Sequence, residues 1–141
     1  MSRILTTILF VFYIGFGLNA QSNYAMYEET SNLSKDLIYY IKATDNGYKV
    51  YNGNTTLSSA LKYNVVSTGT GFKVYNGNST LSSNLVYTMV KTGDMYKVYE
   101  GSSAISSKLV YTIAPHLDSY RLYYGNNTLY DDLLYTIRPK K

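Results

Sequence analysis

The sequence predicts an all-β protein: five tandem two-strand units, stacked as a β-hairpin array or as a β-solenoid. Three observations predict it. Aligned against itself at a step of 24 residues, the chain repeats without a gap from Tyr24 to its end. Within each unit, alternating β-branched and aromatic residues are bounded by Asn, Gly, Ser and Asp, the pattern of short strands and tight turns. Glycine and β-branched residues also recur too densely for a stable helix. A period of this length marks architectures whose units bury their apolar faces against neighbouring units.

Residues 1–20 stand apart. Arg3 gives a basic start, Ile4 to Leu18 is almost wholly apolar, and Asn19-Ala20 precedes the polar Gln21-Ser22-Asn23. That order is a secretory signal peptide, with cleavage expected after Ala20. The apolar run is shorter than the roughly twenty residues that cross a bilayer, so no stable membrane span is expected after cleavage. An exported domain without cysteine has no disulfides, so it is held by its own packing.

Residues 21–141 form a single repeat domain with units 24–47, 48–71, 72–95, 96–119 and 120–141. The second and third units read YKVYNGNTTLSSALKYNVVSTGTG and FKVYNGNSTLSSNLVYTMVKTGDM. Position 1 is always aromatic, position 14 always leucine, and positions 4 and 16 always tyrosine. Tyrosines twelve residues apart imply one strand plus its turn per half-unit. Asn52-Gly53 and Asn76-Gly77 are turn signals, since both residue types tolerate positive φ. Strand alternation then places positions 1 and 3 with positions 14, 16 and 18 on a core face. The reverse face takes positions 2, 4, 15 and 17.

The end units differ from the middle ones. The first has Glu28-Glu29 where its neighbours have Asn-Gly or Glu-Gly, and the last carries Tyr130-Asp131-Asp132 and ends Arg138-Pro139-Lys140-Lys141. Charge and proline on edge strands would stop further stacking, which predicts a closed stack with capped ends.

The string Val74-Tyr75-Asn76-Gly77-Asn78-Ser79-Thr80-Leu81-Ser82-Ser83, followed by Leu85-Val86-Tyr87-Thr88, resembles short tyrosine-rich tandem repeats of exported bacterial proteins. The resemblance covers residues 24–141 and implies an exported β-repeat protein without an assigned chemistry. More distantly the unit resembles the aromatic hairpin repeats of choline-binding cell-wall proteins, which rely on tryptophan; this chain has none.

Little in the sequence points to catalysis. His116 is the only histidine and sits in a turn-like stretch, without the partners of a triad or metal site. Glu28-Glu29 and Asp131-Asp132 do not recur between units and read as end charges. No enzyme activity, cofactor or metal is expected. The leader removed, twelve Lys or Arg stand against nine Asp or Glu, scattered along the chain, which excludes a nucleic-acid stripe. Asn32, Asn54, Asn78 and Asn126 begin sequons, a pattern that tight turns produce anyway.

The candidate site is a tyrosine ladder on the reverse face: Tyr27, Tyr51, Tyr75, Tyr99 and Tyr123, flanked by Lys49, Lys73, Lys97 and Arg121. Aromatic faces beside polar donors stack on sugars and similar flat ligands, so a polysaccharide or cell-surface partner is the expectation. Packing alone also explains such a ladder. The expected function is a non-catalytic secreted or surface protein that binds or adheres through this tyrosine-lined face. The alternative is a self-associating extracellular matrix or fibre subunit, suggested by uncharged β-prone windows such as Leu85 to Val90.

Overall fold

The structure is a computed structural model that describes residues 22–140. The expected leader at 1–20 lies outside the described residues. Ten antiparallel strands form one closed barrel, in which each strand pairs with its neighbours in sequence and the first pairs with the last. The strands are β1 Tyr24–Glu28, β2 Leu37–Thr44, β3 Gly47–Asn52, β4 Leu61–Ser67 and β5 Gly71–Asn76. They continue as β6 Leu85–Thr92, β7 Met95–Glu100, β8 Leu109–His116, β9 Ser119–Tyr124 and β10 Leu133–Pro139. The hairpin reading holds, each unit supplying one hairpin. The solenoid alternative does not, because antiparallel neighbours close around an axis instead of coiling along one.

Closure also corrects the role of the terminal charges. β1 and β10 pair in register from Tyr24↔Pro139 to Glu28↔Tyr135, so Glu28 caps no edge. A closed barrel has no edge to protect. Glu29 instead occupies the left-handed turn position that glycine fills in other units: its φ is 46°, against 75° at Gly53. The Thr136 hydroxyl donates to the Glu29 carbonyl, and Arg138 donates to the carbonyls of Thr30 and Ser31. The last strand thus holds the first loop.

The two barrel ends differ. Within a unit the strands join through a long loop that includes one turn of 3-10 helix, such as Ser58–Ala60 after β3. Between units the links are tight turns. Four of the long loops share a device: a side-chain oxygen two residues earlier accepts the amide hydrogen of the loop's aliphatic residue, as Thr55 does for Leu57 and Ser79 for Leu81. Those aliphatic residues are exposed, Leu57 and Leu81 both by 67%. Gly71, where β5 begins, is required by close approach: a Cβ there would lie 2.0 Å from the Met89 carbonyl oxygen.

Each within-unit pair carries a register shift. Val50 faces Tyr63, yet Tyr51 faces Leu61, and the same slip recurs in all five hairpins. Two residues on the second strand there oppose one on the first, which is a β-bulge. The slip corrects the expected core face. Positions 1, 3, 16 and 18 do turn inward, but the position 14 leucines do not line the interior with them. Leu133 shows where they go: it packs with Ala114 and Tyr123 on the outer wall.

Candidate functional site: a tyrosine-ringed lumen

Twenty side chains, four from each unit, line a hollow of about 320 Å³ inside the barrel. A ten-strand barrel is wider than the eight-strand kind, whose interior side chains just fill or hold one small ligand. The hollow falls at the lower end of the usual range for ligand pockets, roughly 300–1,000 Å³.

The lining is layered, because strand alternation sends every second residue inward and the five units repeat the same residues. Tyr24, Tyr48, Phe72, Tyr96 and Tyr120 form an aromatic ring toward the tight-turn end. Consecutive centroids from Tyr120 through Tyr24, Tyr48 and Phe72 to Tyr96 lie 5.8–6.4 Å apart at tilted to edge-on angles. Such angles are the favourable ones for aromatic pairs, so these rings pack into a floor. Above them come aliphatic layers that include Val74, Val98, Val65 and Ile113. Tyr39, Tyr63, Tyr87, Tyr111 and Tyr135 line the long-loop end.

The two tyrosine sets sit in different environments. Burial pushes the Tyr24, Tyr48, Tyr96 and Tyr120 hydroxyls up, that of Tyr120 to about 12. Burial also raises Tyr39, Tyr63 and Tyr111. The Tyr39 hydroxyl feels those of Tyr63, Tyr135 and Tyr111, so hydroxyls from around the barrel converge here. Tyr87 and Tyr111 meet edge-on at 6.0 Å. The floor is a mutually packed ring; the opposite end is a looser circle of hydroxyls, which makes it the mouth.

Register places Glu28 beside Tyr135 and Glu100 beside Tyr87 on the mouth's inner rim. Beside the mouth, a second hollow is lined by Glu28, Glu29, Ser31, Asp36 and Tyr135, among others. A hydrogen bond from the Ser31 hydroxyl holds the Asp36 carboxyl below the usual carboxylate range, reinforced by Lys35 at 3.5 Å. On the other side, the Lys62 ammonium lies 5.1 Å from the centroid of the Tyr63 ring.

The sequence-predicted ladder lies on the outer wall. Tyr51 and Tyr123 are buried, exposed by 8% and 7%, while Tyr27, Tyr75 and Tyr99 are half-buried. Each stands beside a position 17 residue of the neighbouring strand, as Tyr75 does beside Asn64. Because five units complete the circle, successive rings of the ladder point one fifth of a turn apart. Lys49, Lys73, Lys97 and Arg121 lie on the same wall. The Lys97 ammonium donates to the Asn126 side-chain oxygen at 2.6 Å and to the Thr112 hydroxyl at 3.3 Å. His116 is exposed at the end of β8. Among the described residues, no three His, Cys, Asp or Glu side chains are grouped to hold a metal ion.

Sequence reasoning assigned the lumen residues to a core but missed that this core is hollow. The available signal was the number of strands, since a closed ring of ten half-units is too wide to fill completely. No family model, curated protein or solved structure matches the chain.

Proposed function

We propose that this is an exported, non-catalytic binding protein that holds a small, mainly apolar molecule in its lumen. The observation that carries the reading is the hollow of about 320 Å³, with aliphatic side chains along its wall between two rings of aromatic ones. Concave apolar pockets with a few convergent polar groups are where proteins hold small ligands. The binding face is then the inner one, and not the expected ladder of Tyr27, Tyr51, Tyr75, Tyr99 and Tyr123.

An outer-wall site for a polysaccharide or cell-surface component is the second reading. It draws on Tyr27, Tyr75 and Tyr99, part of whose rings is exposed beside Lys73 and Lys97. The radial spread of those rings favours the lumen, because an extended ligand on the wall would meet few of them at once. Barrel closure favours binding over fibre assembly, since no strand edge is left to template addition. The outward Lys49, Lys73, Lys97 and Arg121 support an aqueous setting: a membrane barrel shows lipid an apolar band. Strands of five to eight residues are also shorter than the roughly 9–11 that cross a bilayer.

The test is a fluorescence titration of the protein with N-phenyl-1-naphthylamine, an uncharged probe that brightens in apolar surroundings. One probe should bind per chain. The substitution Val65→Phe, which projects a ring into the lumen, should weaken that binding while the variant still melts cooperatively. A signal unchanged by Val65→Phe would move the site elsewhere.

A further inference from the structure

The lumen has two unlike ends, and that asymmetry specifies the ligand more narrowly. We infer that it takes an uncharged amphipath, an apolar body with one hydroxyl or carbonyl end, and that the polar end stops at the mouth tyrosines. This rests on the lumen reading above and adds polarity and orientation to it.

Three observations carry it. First, the lining below the mouth consists of aliphatic and aromatic side chains with no acidic or basic residue. A full charge of either sign placed there would be buried without a partner, which is strongly unfavourable. Second, the floor aromatics pack against one another and are deeply desolvated, as the raised Tyr48, Tyr96 and Tyr120 show. Four of these rings, Tyr24, Tyr48, Tyr96 and Tyr120, also carry hydroxyls, so the floor differs from the mouth in its ring packing and its distance from the rim charges, not in lacking polar groups.

Third, the mouth offers hydroxyls. Each tyrosine hydroxyl both donates and accepts, so the Tyr39, Tyr63, Tyr87, Tyr111 and Tyr135 circle suits an alcohol or carbonyl without selecting a charge. The rim charges then discriminate. Glu100 stands beside Tyr87 and contributes to the raised Tyr111, while Glu28 stands beside Tyr135. An anionic head at the mouth would face both carboxylates. Lys62 opposes them, but its ammonium already lies over the Tyr63 ring, and Lys35 is paired with Asp36.

The experiment compares naphthalene, 2-naphthol and 2-naphthoate at pH 7.5, each displacing N-phenyl-1-naphthylamine from the whole exported chain. All three share one flat body, so differences report the polar end. Naphthol should bind about two- to tenfold more tightly than naphthalene, the yield of one net hydrogen bond. Naphthoate should bind at least tenfold more weakly than naphthol. In a variant carrying Tyr39→Phe, Tyr87→Phe and Tyr111→Phe, the preference for naphthol over naphthalene should shrink, with Tyr63 and Tyr135 left, while naphthalene keeps its affinity. In Glu28→Gln with Glu100→Gln, the penalty on naphthoate should shrink severalfold.

Equal binding of naphthol and naphthalene to the unaltered protein would overturn this inference and leave the lumen reading standing. So would tighter binding of naphthoate. Failure of all three to displace the probe would remove the lumen reading and this inference together. If the triple Phe variant does not fold, Tyr87→Phe and Tyr111→Phe made singly serve, each expected to narrow the naphthol preference.

Discussion

Tyr48, Tyr96 and Tyr120 owe their raised hydroxyls to one cause, desolvation inside the barrel. That cause has a consequence for stability. In the unfolded chain these hydroxyls ionise near pH 10, but in the folded barrel they keep their protons to higher pH. Above pH 10 the unfolded state therefore binds fewer protons than the folded one, and stability falls as pH rises. The contribution is complete below pH 10 and is lost through each folded value, about 12 for Tyr120. The slope is at most about 1.4 kcal/mol per pH unit for each ring, and less where water reaches it. Thermal melts between pH 8 and 11 should show a level melting temperature that drops beyond pH 10. Phenolate absorbance should show these rings titrating only with unfolding; early titration of every tyrosine would mean that the floor is wet. At this scale the sequence was legible in part. Position 1 was read as inward because it is aromatic in every copy, and it is inward. The difference between an aromatic at the floor and one at the mouth was not legible, since tyrosine dominates both columns and only closure gives them different depths.

The hairpin with its bulge is the element that decides which side chains face the lumen. Strict alternation from Tyr63 would bring Leu61 inward with it, and so predicts Leu85 in the core beside Tyr87. The slip between Val74 and Tyr75 places Leu85 opposite Tyr75, and Leu85 is only half-buried. Nothing in the residue types marks such a slip; it is a property of paired strands and of the long loop that joins them. The stability ranking changes accordingly. Val98, exposed by 4%, is the better core probe. Replacing Val98 by Ala should cost about 1.5–3 kcal/mol, from two buried methyl groups and the space they leave. Replacing Leu85 by Ala should cost less than the roughly 2–5 kcal/mol of a fully buried leucine. Urea denaturation of both variants measures the order, and a larger loss for Leu85→Ala would restore the unbroken alternation. Lys73 on the outer wall remains a surface control, expected to change stability by under about 0.5 kcal/mol.

At the scale of the molecule, five hairpins become a container only because β1 meets β10. The repeat period, the strand content and the hairpin unit are all present in the sequence, but the expected stack ended in capped edges and not in a ring. Closure into a barrel was not legible. Glu28-Glu29 and the proline-bearing end looked like charges guarding free edges, whereas Glu28 faces Tyr135 and Pro139 faces Tyr24 across the seam. Pairing between residues more than a hundred positions apart leaves no local signature, because each half of the seam is an ordinary strand. Thr136 and Arg138 reinforce that seam through the first loop. If the seam were open, the aliphatic layers would face water and there would be no lumen for a ligand. Hydrogen exchange of the strand amides tests this most directly. The closed barrel predicts that the amides of β1 and β10 that donate across the seam exchange as slowly as those of the central β5–β6 hairpin. Fast exchange confined to the seam-facing amides of β1 and β10, with the central hairpins protected, would contradict closure and the binding function argued from it.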